Sequence, residues 1–194
     1  MKEHIQRILA RYSPRTVSAP DLVPASVLLL LLPKDGEYHV LFTRRTDRVK
    51  HHKGEISFPG GARDDDDPTP LATALREAQE EVGIAPEDVE VLGPLDQVRT
   101  RYGYQVTPFV GDIPYPYRFI PREEEVAEVL EVPVSTLLST EDKTGSVEVE
   151  GHHYQMVTYR YGHHVIWGAT ARMVQQFLDL CYRSDGLPPS GDPD

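Results

Sequence analysis

Apolar residues recur at helical spacing in Ile5, Ile8, Leu9 and Tyr12, predicting a short amphipathic helix over 5–12. Val27 to Leu32 is continuously apolar, short and framed by Pro24 and Pro33, which predicts a buried strand. A turn at Lys34-Asp35-Gly36 follows. Tyr38, Val40 and Phe42 then alternate with His39, Leu41 and Thr43, predicting a second strand over 38–46. The polar, basic stretch 46–57 reads as a loop, Phe58-Pro59-Gly60-Gly61 as a tight turn and 62–68 as an acidic loop. Thr69 can cap a helix that starts at Pro70, where a missing N–H costs nothing, and Gly83 can close it in the left-handed conformation. Strands are expected over 89–100, 105–113 and 126–132, a helical turn over 135–138, late strands over 146–150, 154–161 and 163–167, and a last long helix over 169–182. Residues 1–24 form an N-terminal helix and lead-in. The stretch 184–194, with Pro188, Pro189 and Pro193, reads as a flexible tail. No internal repeat and no second domain is visible, so 1–194 is expected to be one domain.

Composition narrows the class. The chain is 39% hydrophobic and 26% charged, as expected of a soluble globular protein. A net charge of −11 disfavours a general nucleic-acid surface. No apolar run approaches the roughly 20 residues of a membrane-spanning helix. No secretory signal is visible at Met1 to His4, and Cys181 is the one cysteine. These features predict a cytoplasmic protein without disulfides or a cysteine-based zinc site. Oligomeric state is left open.

The helix over 70–82 is where chemistry concentrates. At about 100° per residue, Leu71, Leu75, Ala78 and Val82 share one face and Glu77, Glu80 and Glu81 the other. Like charges at i, i+3 and i, i+4 disfavour an isolated helix by a few tenths of a kcal/mol each. A divalent cation among them reverses that, and clustered carboxylates suit Mg²⁺ or Mn²⁺ better than zinc. The alternative is a solvated charged face in which Arg76 pairs with Glu80. Upstream, residues 43–53 gather Arg44, Arg45, Arg48, Lys50 and Lys53, five of the chain's 20 Lys and Arg. Such a stretch is either a solvated loop or, beside Gly60-Gly61, a patch that receives a ligand phosphate.

Gly61, Asp67 and the run Arg76-Glu77-Ala78-Gln79-Glu80-Glu81-Val82-Gly83-Ile84 resemble the Nudix box of the Nudix hydrolases. The second half matches at every specified position. In the first half one extra residue separates Gly61 from Arg76, and Asp67 or Asp66 stands where the family has Glu. Leu41, Thr43, Arg45, Gly54 and Phe58-Pro59-Gly60-Gly61 keep the spacing of the coenzyme A pyrophosphatase branch, with Phe42, Thr46 and Lys50 as departures. Similarity continues through Pro108-Phe109-Val110, Glu125-Val126 and the run from Ile166 to Ala171.

The resemblance implies an α/β fold, an α/β/α sandwich around a mixed sheet, and Mg²⁺-dependent hydrolysis of a diphosphate (Mn²⁺ serving as well). Glu80 and Glu81 would hold the metal, with Glu77 a third ligand or a partner in the cluster. Arg76 would orient a carboxylate, and Gly60 and Gly61 would let backbone approach the ligand. The general base would come from a later loop, Glu125 first and Glu123 or Glu124 after it, unless that loop is merely solvated. Arg44, Arg45, Arg48 and Lys50 would bind substrate. The substrate would be coenzyme A or a derivative. Alternatives are NADH, ADP-ribose or a module that binds a nucleotide without turnover. Three other features are expected to be structural. Asp64 to Asp67 would be solvated. Tyr102, Tyr104, Phe109 and Trp167 would lie in the core rather than form an adenine clamp, although Tyr102 to Tyr104 could line a pocket. The pairs His152-His153 and His163-His164 would point to opposite strand faces, unsuited to a shared metal.

Overall fold

The computed structural model describes residues 1–17, 21–46, 54–149 and 152–183, with backbone only for Thr144, 147–149 and 152–155. Arg48, Lys50, Lys53 and the tail 184–194 lie outside the described residues. In chain order the elements are α1 (Lys2–Leu9), β1 (Val23–Lys34), β2 (Glu37–Arg45), β3 (Ile56–Ser57), β4 (Gly60–Ala62), α2 (Pro70–Val82), β5 (Glu90–Pro94), β6 (Val98–Arg99), β7 (Tyr104–Asp112), β8 (Val126–Pro133), α3 (Val134–Thr140), β9 (Asp142–Val149), β10 (His152–Tyr161), β11 (His164–Ile166) and α4 (Gly168–Leu178).

The mixed sheet grows from β1. It pairs antiparallel with β2 and β4 and parallel with β7; β2 also pairs with β3 and β8, and β7 with β5 and β6. The apolar run of β1 divides by strand alternation. Leu28, Leu30 and Leu32 pack with Ala74, Ala78 and Val82 of α2 on one face. Leu29 and Leu31 pack on the other with Ile5 and Leu9 of α1 and Val174 and Phe177 of α4. The expected α/β/α sandwich is therefore present. Its second face is completed by a small antiparallel sheet, β11-β10-β9, whose Val157, Tyr159 and Ile166 enter the same core.

Several boundaries differ from expectation. Strand β1 runs through Pro24 and Pro33. Each lies near an end of its pairing, Pro24 still accepting from Arg63 N–H (2.9 Å) and Pro33 standing beside the hairpin turn, where a missing donor does least harm. The stretch 89–100 forms two short strands; a bulge near Gly93 and the Leu95 N–H to Pro108 carbonyl bond (2.9 Å) redirect it. Gly60-Gly61 belongs to a strand, with Gly60, Gly61 and Ala62 opposite Val27, Ser26 and Ala25.

Candidate active site

Helix α2 forms as its sequence requires. The Thr69 side chain accepts from Ala72 N–H (3.1 Å), Pro70 opens the helix, and Gly83 closes it at φ 72°. The wheel places the three glutamates together, but their face is not a solvated one. Thr73 is fully buried and Glu81 is 5% exposed, while the Glu77 side chain is 17% and the Glu80 side chain 47% exposed.

Two segments close over that face. Ile120 N–H bonds the Val82 carbonyl (2.9 Å) and Arg122 N–H the Glu81 carbonyl (2.8 Å), so the loop before β8 is tied to the last turn of α2. Thr46 then joins the end of β2 to the same loop, donating its N–H to the Glu125 carbonyl (2.9 Å) and its hydroxyl to the Glu124 carbonyl (2.8 Å). These ties bring the half-exposed Glu125 carboxylate near Glu77 and Glu81, while Arg122 pairs with it at 3.1 Å. The Glu124 side chain is 77% exposed and Glu123 is exposed, both turned to solvent.

Burial dominates the electrostatics. It pushes the Glu81 carboxyl up to about 8, against the pull of Arg45 and the Gly60 N–H and with the push of Glu77 and Glu125. Glu77 is raised for the same reason, opposed by Arg76. Glu81 Oε2 is buried without a hydrogen-bond partner, and Arg45 Nη1 stands 3.9 Å from Oε1. A buried carboxylate with an unused oxygen beside two other carboxylates is poorly served by the protein alone. Among the described residues no three of His, Cys, Asp and Glu already surround one point. The donor set fits a divalent cation nonetheless: Glu81 offers an unpartnered oxygen, and among the described residues the exposed Glu80 meets Arg76 Nη1 at 3.4 Å.

Arg76 is the hub beneath this cluster. It donates to both oxygens of Asp67 (3.0 Å each), to Glu77 (2.9 Å) and to the Ala62 carbonyl (3.3 Å). Asp67 is therefore not solvated: it is 6% exposed, while Asp64, Asp65 and Asp66 are exposed. Asp67, not Asp66, takes the inward position of the box acid, so the insertion is absorbed in the helix approach. The Arg76 guanidinium, with Asp64 N–H and Thr73, holds the Asp67 carboxyl well below the usual carboxylate range. Such a group stabilises the fold above its unfolded value near 4, and the stabilisation is lost as pH falls below that. We expect Asp67→Asn to cost about 2 kcal/mol at pH 7. The gap to the parent should narrow at pH 3 in urea unfolding; a constant gap would show that charge is not its source.

Of the basic residues, Arg44 and Arg45 lie within the described residues, and each meets a carboxylate. Arg44 Nε pairs with Glu128 (3.1 Å), and Arg45 leans on Glu81 with its own Nε buried and unpartnered. Arg48 and Lys50 lie outside the described residues. Two departures from the branch signature have packing roles. Phe42 is fully buried and stacks on Phe58 with centroids 5.0 Å apart, and Thr46 makes the loop bond that a serine would also make. Gly61 faces the Glu77 carboxylate so closely that a Cβ there would lie 2.5 Å from its carbon, and a Cβ on Gly60 would meet the β1 backbone.

The aromatics expected in the core are mostly outside it: Tyr102, Tyr104 and Trp167 are 49, 36 and 38% exposed, and Phe109 alone is partly buried against α2. His163 precedes β11, so its ring does not alternate with that of His164; the two rings lie with centroids 4.0 Å apart, tilted at 37°, and His164 Nε2 lies 3.5 Å from Glu128.

The model of the NUDIX domain matches residues 22–155. This chain belongs to the Nudix family. An uncharacterized Nudix hydrolase, NudL, of Enterobacter sp. (strain 638) is 39% identical over 153 residues, 78% of this chain and 79% of that one. A NudL of Pectobacterium atrosepticum is 41% identical over 138 residues, 71% and 72% of the two chains. Among solved structures, a Nudix hydrolase from M. smegmatis, RenU, matches with TM-score 0.51 and 29% identity over 60% of this chain and 74% of its own. The C. elegans Ap4A hydrolase matches at TM-score 0.51 and 16% identity over 61% and 85%, a likeness of fold alone. The chain is thus a Nudix hydrolase, of a class that acts on nucleoside diphosphate derivatives and generally uses divalent cations such as Mg²⁺. Among the described residues no helix is long and apolar enough to cross a membrane.

Proposed function

We propose that this Nudix hydrolase cleaves the diphosphate of coenzyme A and its derivatives, releasing 3′,5′-ADP and 4′-phosphopantetheine in the cytoplasm. The observation that carries the hydrolytic part is Glu81, buried beside Glu77 and Glu125 with one oxygen unpartnered. The substrate is argued from the signature spacing over residues 41–61. Two of its three departures, Phe42 and Thr46, have packing roles and do not speak for another substrate. Lys50 is the remaining departure, and it keeps NADH and ADP-ribose as the second reading.

Glu80 and Glu81 would hold the metal, with Glu77 beside them. When bound, Mg²⁺ or Mn²⁺ neutralises the diphosphate oxygens and makes water a better nucleophile at neutral pH. Glu125 takes the proton from the attacking water. Arg76 positions Glu77 and stays paired with Asp67. Gly60 and Gly61, whose missing side chains give room to the β1 backbone and the Glu77 carboxylate, bring backbone to the diphosphate, while Arg44, Arg45, Arg48 and Lys50 supply positive charge for its oxygens.

The test is chromatographic. Protein is incubated with Mg²⁺ and, separately, coenzyme A, NADH, ADP-ribose and a nucleoside triphosphate, beside the Glu80→Gln, Glu81→Gln double variant. We expect 3′,5′-ADP from coenzyme A, absent with the variant. Faster cleavage of NADH or ADP-ribose would establish the second reading, and no cleavage with Mg²⁺ or Mn²⁺ would leave a nucleotide-binding module.

A further inference from the structure

Thr46 follows the last residue of β2, directly after Arg44 and Arg45, and is buried. Its hydroxyl donates to the Glu124 carbonyl at 2.8 Å and its N–H to the Glu125 carbonyl at 2.9 Å. One residue therefore grips two successive peptide units of the loop before β8. The grip falls where the sheet is least regular. Pairing of β2 with β8 runs from His39 and Pro133 to Arg44 and Glu128, shifts register, and resumes at Arg45 and Val126. A register shift leaves backbone unpaired and lets the strand bend, so the ladder alone holds this end loosely.

Glu125 sits between two anchors. On the α2 side, Arg122 N–H bonds the Glu81 carbonyl, and the Arg122 carbonyl in turn accepts from Glu125 N–H (2.9 Å) and Val126 N–H (2.8 Å). On the β2 side, Thr46 takes the Glu124 and Glu125 carbonyls. The peptide unit before Glu125 consists of the Glu124 carbonyl and the Glu125 N–H. The unit after it consists of the Glu125 carbonyl and the Val126 N–H. All four groups are bonded, two to Arg122 and two to Thr46. Each unit is planar, so fixing both fixes the two backbone dihedrals of Glu125 and with them the direction of its Cα–Cβ bond. The carboxylate so directed lies near Glu77 and Glu81 and pairs with Arg122 at 3.1 Å.

We propose that Thr46 is a positioning residue for hydrolysis: by holding the carbonyls on both sides of Glu125 it aims that carboxylate at the attacking water. This rests on the diphosphate hydrolysis proposed above, with Glu125 as the base. A base must come within about 2.6–3.2 Å of the oxygen whose proton it takes, so a small rotation of either peptide unit is felt in the rate. Thr46 also joins the loop of the base to the strand end that carries Arg44 and Arg45. The cations for the diphosphate and the base for the water are thereby held as one unit. The two bonds use the hydroxyl and the N–H of Thr46, not its methyl group, so serine can serve and valine cannot.

Initial rates of the full-length protein are measured with Mg²⁺ and the faster of coenzyme A and NADH. Thr46→Val keeps the shape and the N–H and loses the hydroxyl. We expect kcat to fall about tenfold with KM within about twofold, because the geometry of the base changes and the contacts to substrate do not. Thr46→Ser, which keeps the hydroxyl, should recover at least about half of the parent's kcat. Glu125→Gln alone should lower kcat about a hundredfold or more. In that background Thr46→Val should cost less than about twofold, since a residue that acts through the base has nothing left to aim. Thr46→Ala removes the same hydroxyl and replaces Thr46→Val if circular dichroism shows that valine disturbs the fold. Three results would overturn the proposal: Thr46→Val with the parent's kcat, Thr46→Ser as slow as Thr46→Val, or an undiminished loss from Thr46→Val in the Glu125→Gln background. A parent that cleaves no diphosphate removes the hydrolytic reading and this proposal with it. Loss of turnover in Glu125→Gln beside full turnover in Thr46→Val removes this proposal alone.

Discussion

Glu81→Gln lowers turnover at least about a thousandfold while the metal-free protein melts no lower than its parent. The two halves of this expectation share one cause. Glu81 is 5% exposed, and burial pushes its carboxyl up to about 8, so its surroundings disfavour the charged form. An amide of the same shape carries no charge to bury and leaves the contacts of α2 in place. What it removes is the charged oxygen suited to a divalent cation, and losses of about 10²–10⁴ are usual where a group central to the proton and metal chemistry goes. Added Mn²⁺ should raise the parent's melting temperature and leave the variant's unchanged. Glu80→Gln, on an exposed side chain, should cost less than Glu81→Gln. Steady-state rates and thermal melts decide the matter. Turnover of Glu81→Gln within tenfold of the parent would move the chemistry away from α2.

Adjacent glycines should fail differently. A Cβ on Gly60 would lie 2.6 Å from Val27 Cα and also strike the Ser26 carbonyl, both backbone of the central strand, and Gly60 has φ 155°. Neither neighbour can yield without breaking the β1–β4 pairing, so Gly60→Ala should cost about 3 kcal/mol or more. A Cβ on Gly61 would lie 2.5 Å from the Glu77 carboxylate carbon, the end of a side chain that can rotate. Gly61→Ala should cost about 1 kcal/mol of stability. Turnover should fall about a hundredfold, as expected when a group at the reacting centre moves by about an ångström. Urea unfolding and initial rates separate the two; equal destabilisation by both would contradict the placement of Glu77 over Gly61.

Much of the fold was legible because it is local. The alternation that sends Leu28, Leu30 and Leu32 to one face and Leu29 and Leu31 to the other is a property of any strand. The Thr69 cap, Pro70 start and Gly83 stop act within one turn of their own backbone. Gly60-Gly61 looked like a turn because paired glycines usually are one. Here their lack of side chains admits the backbone of β1, which no local rule can foresee.

The site divides in the same way. Spacing along a helix sets angle, so the sequence by itself determined that Glu77, Glu80 and Glu81 share a face and that Arg76 reaches Glu80. It also carried the family, through the box and the turn before it. Whether that face meets water depends on segments distant in the chain. Arg122 and Thr46 draw the loop before β8 over α2 and bury Glu81, and Asp67 becomes the partner of Arg76 through an approach one residue longer than the family pattern. Arg45 turns to Glu81. Burial, and with it the charge state of a carboxylate and the partner of a guanidinium, is decided by what the rest of the chain packs alongside, and only the tertiary structure holds that information.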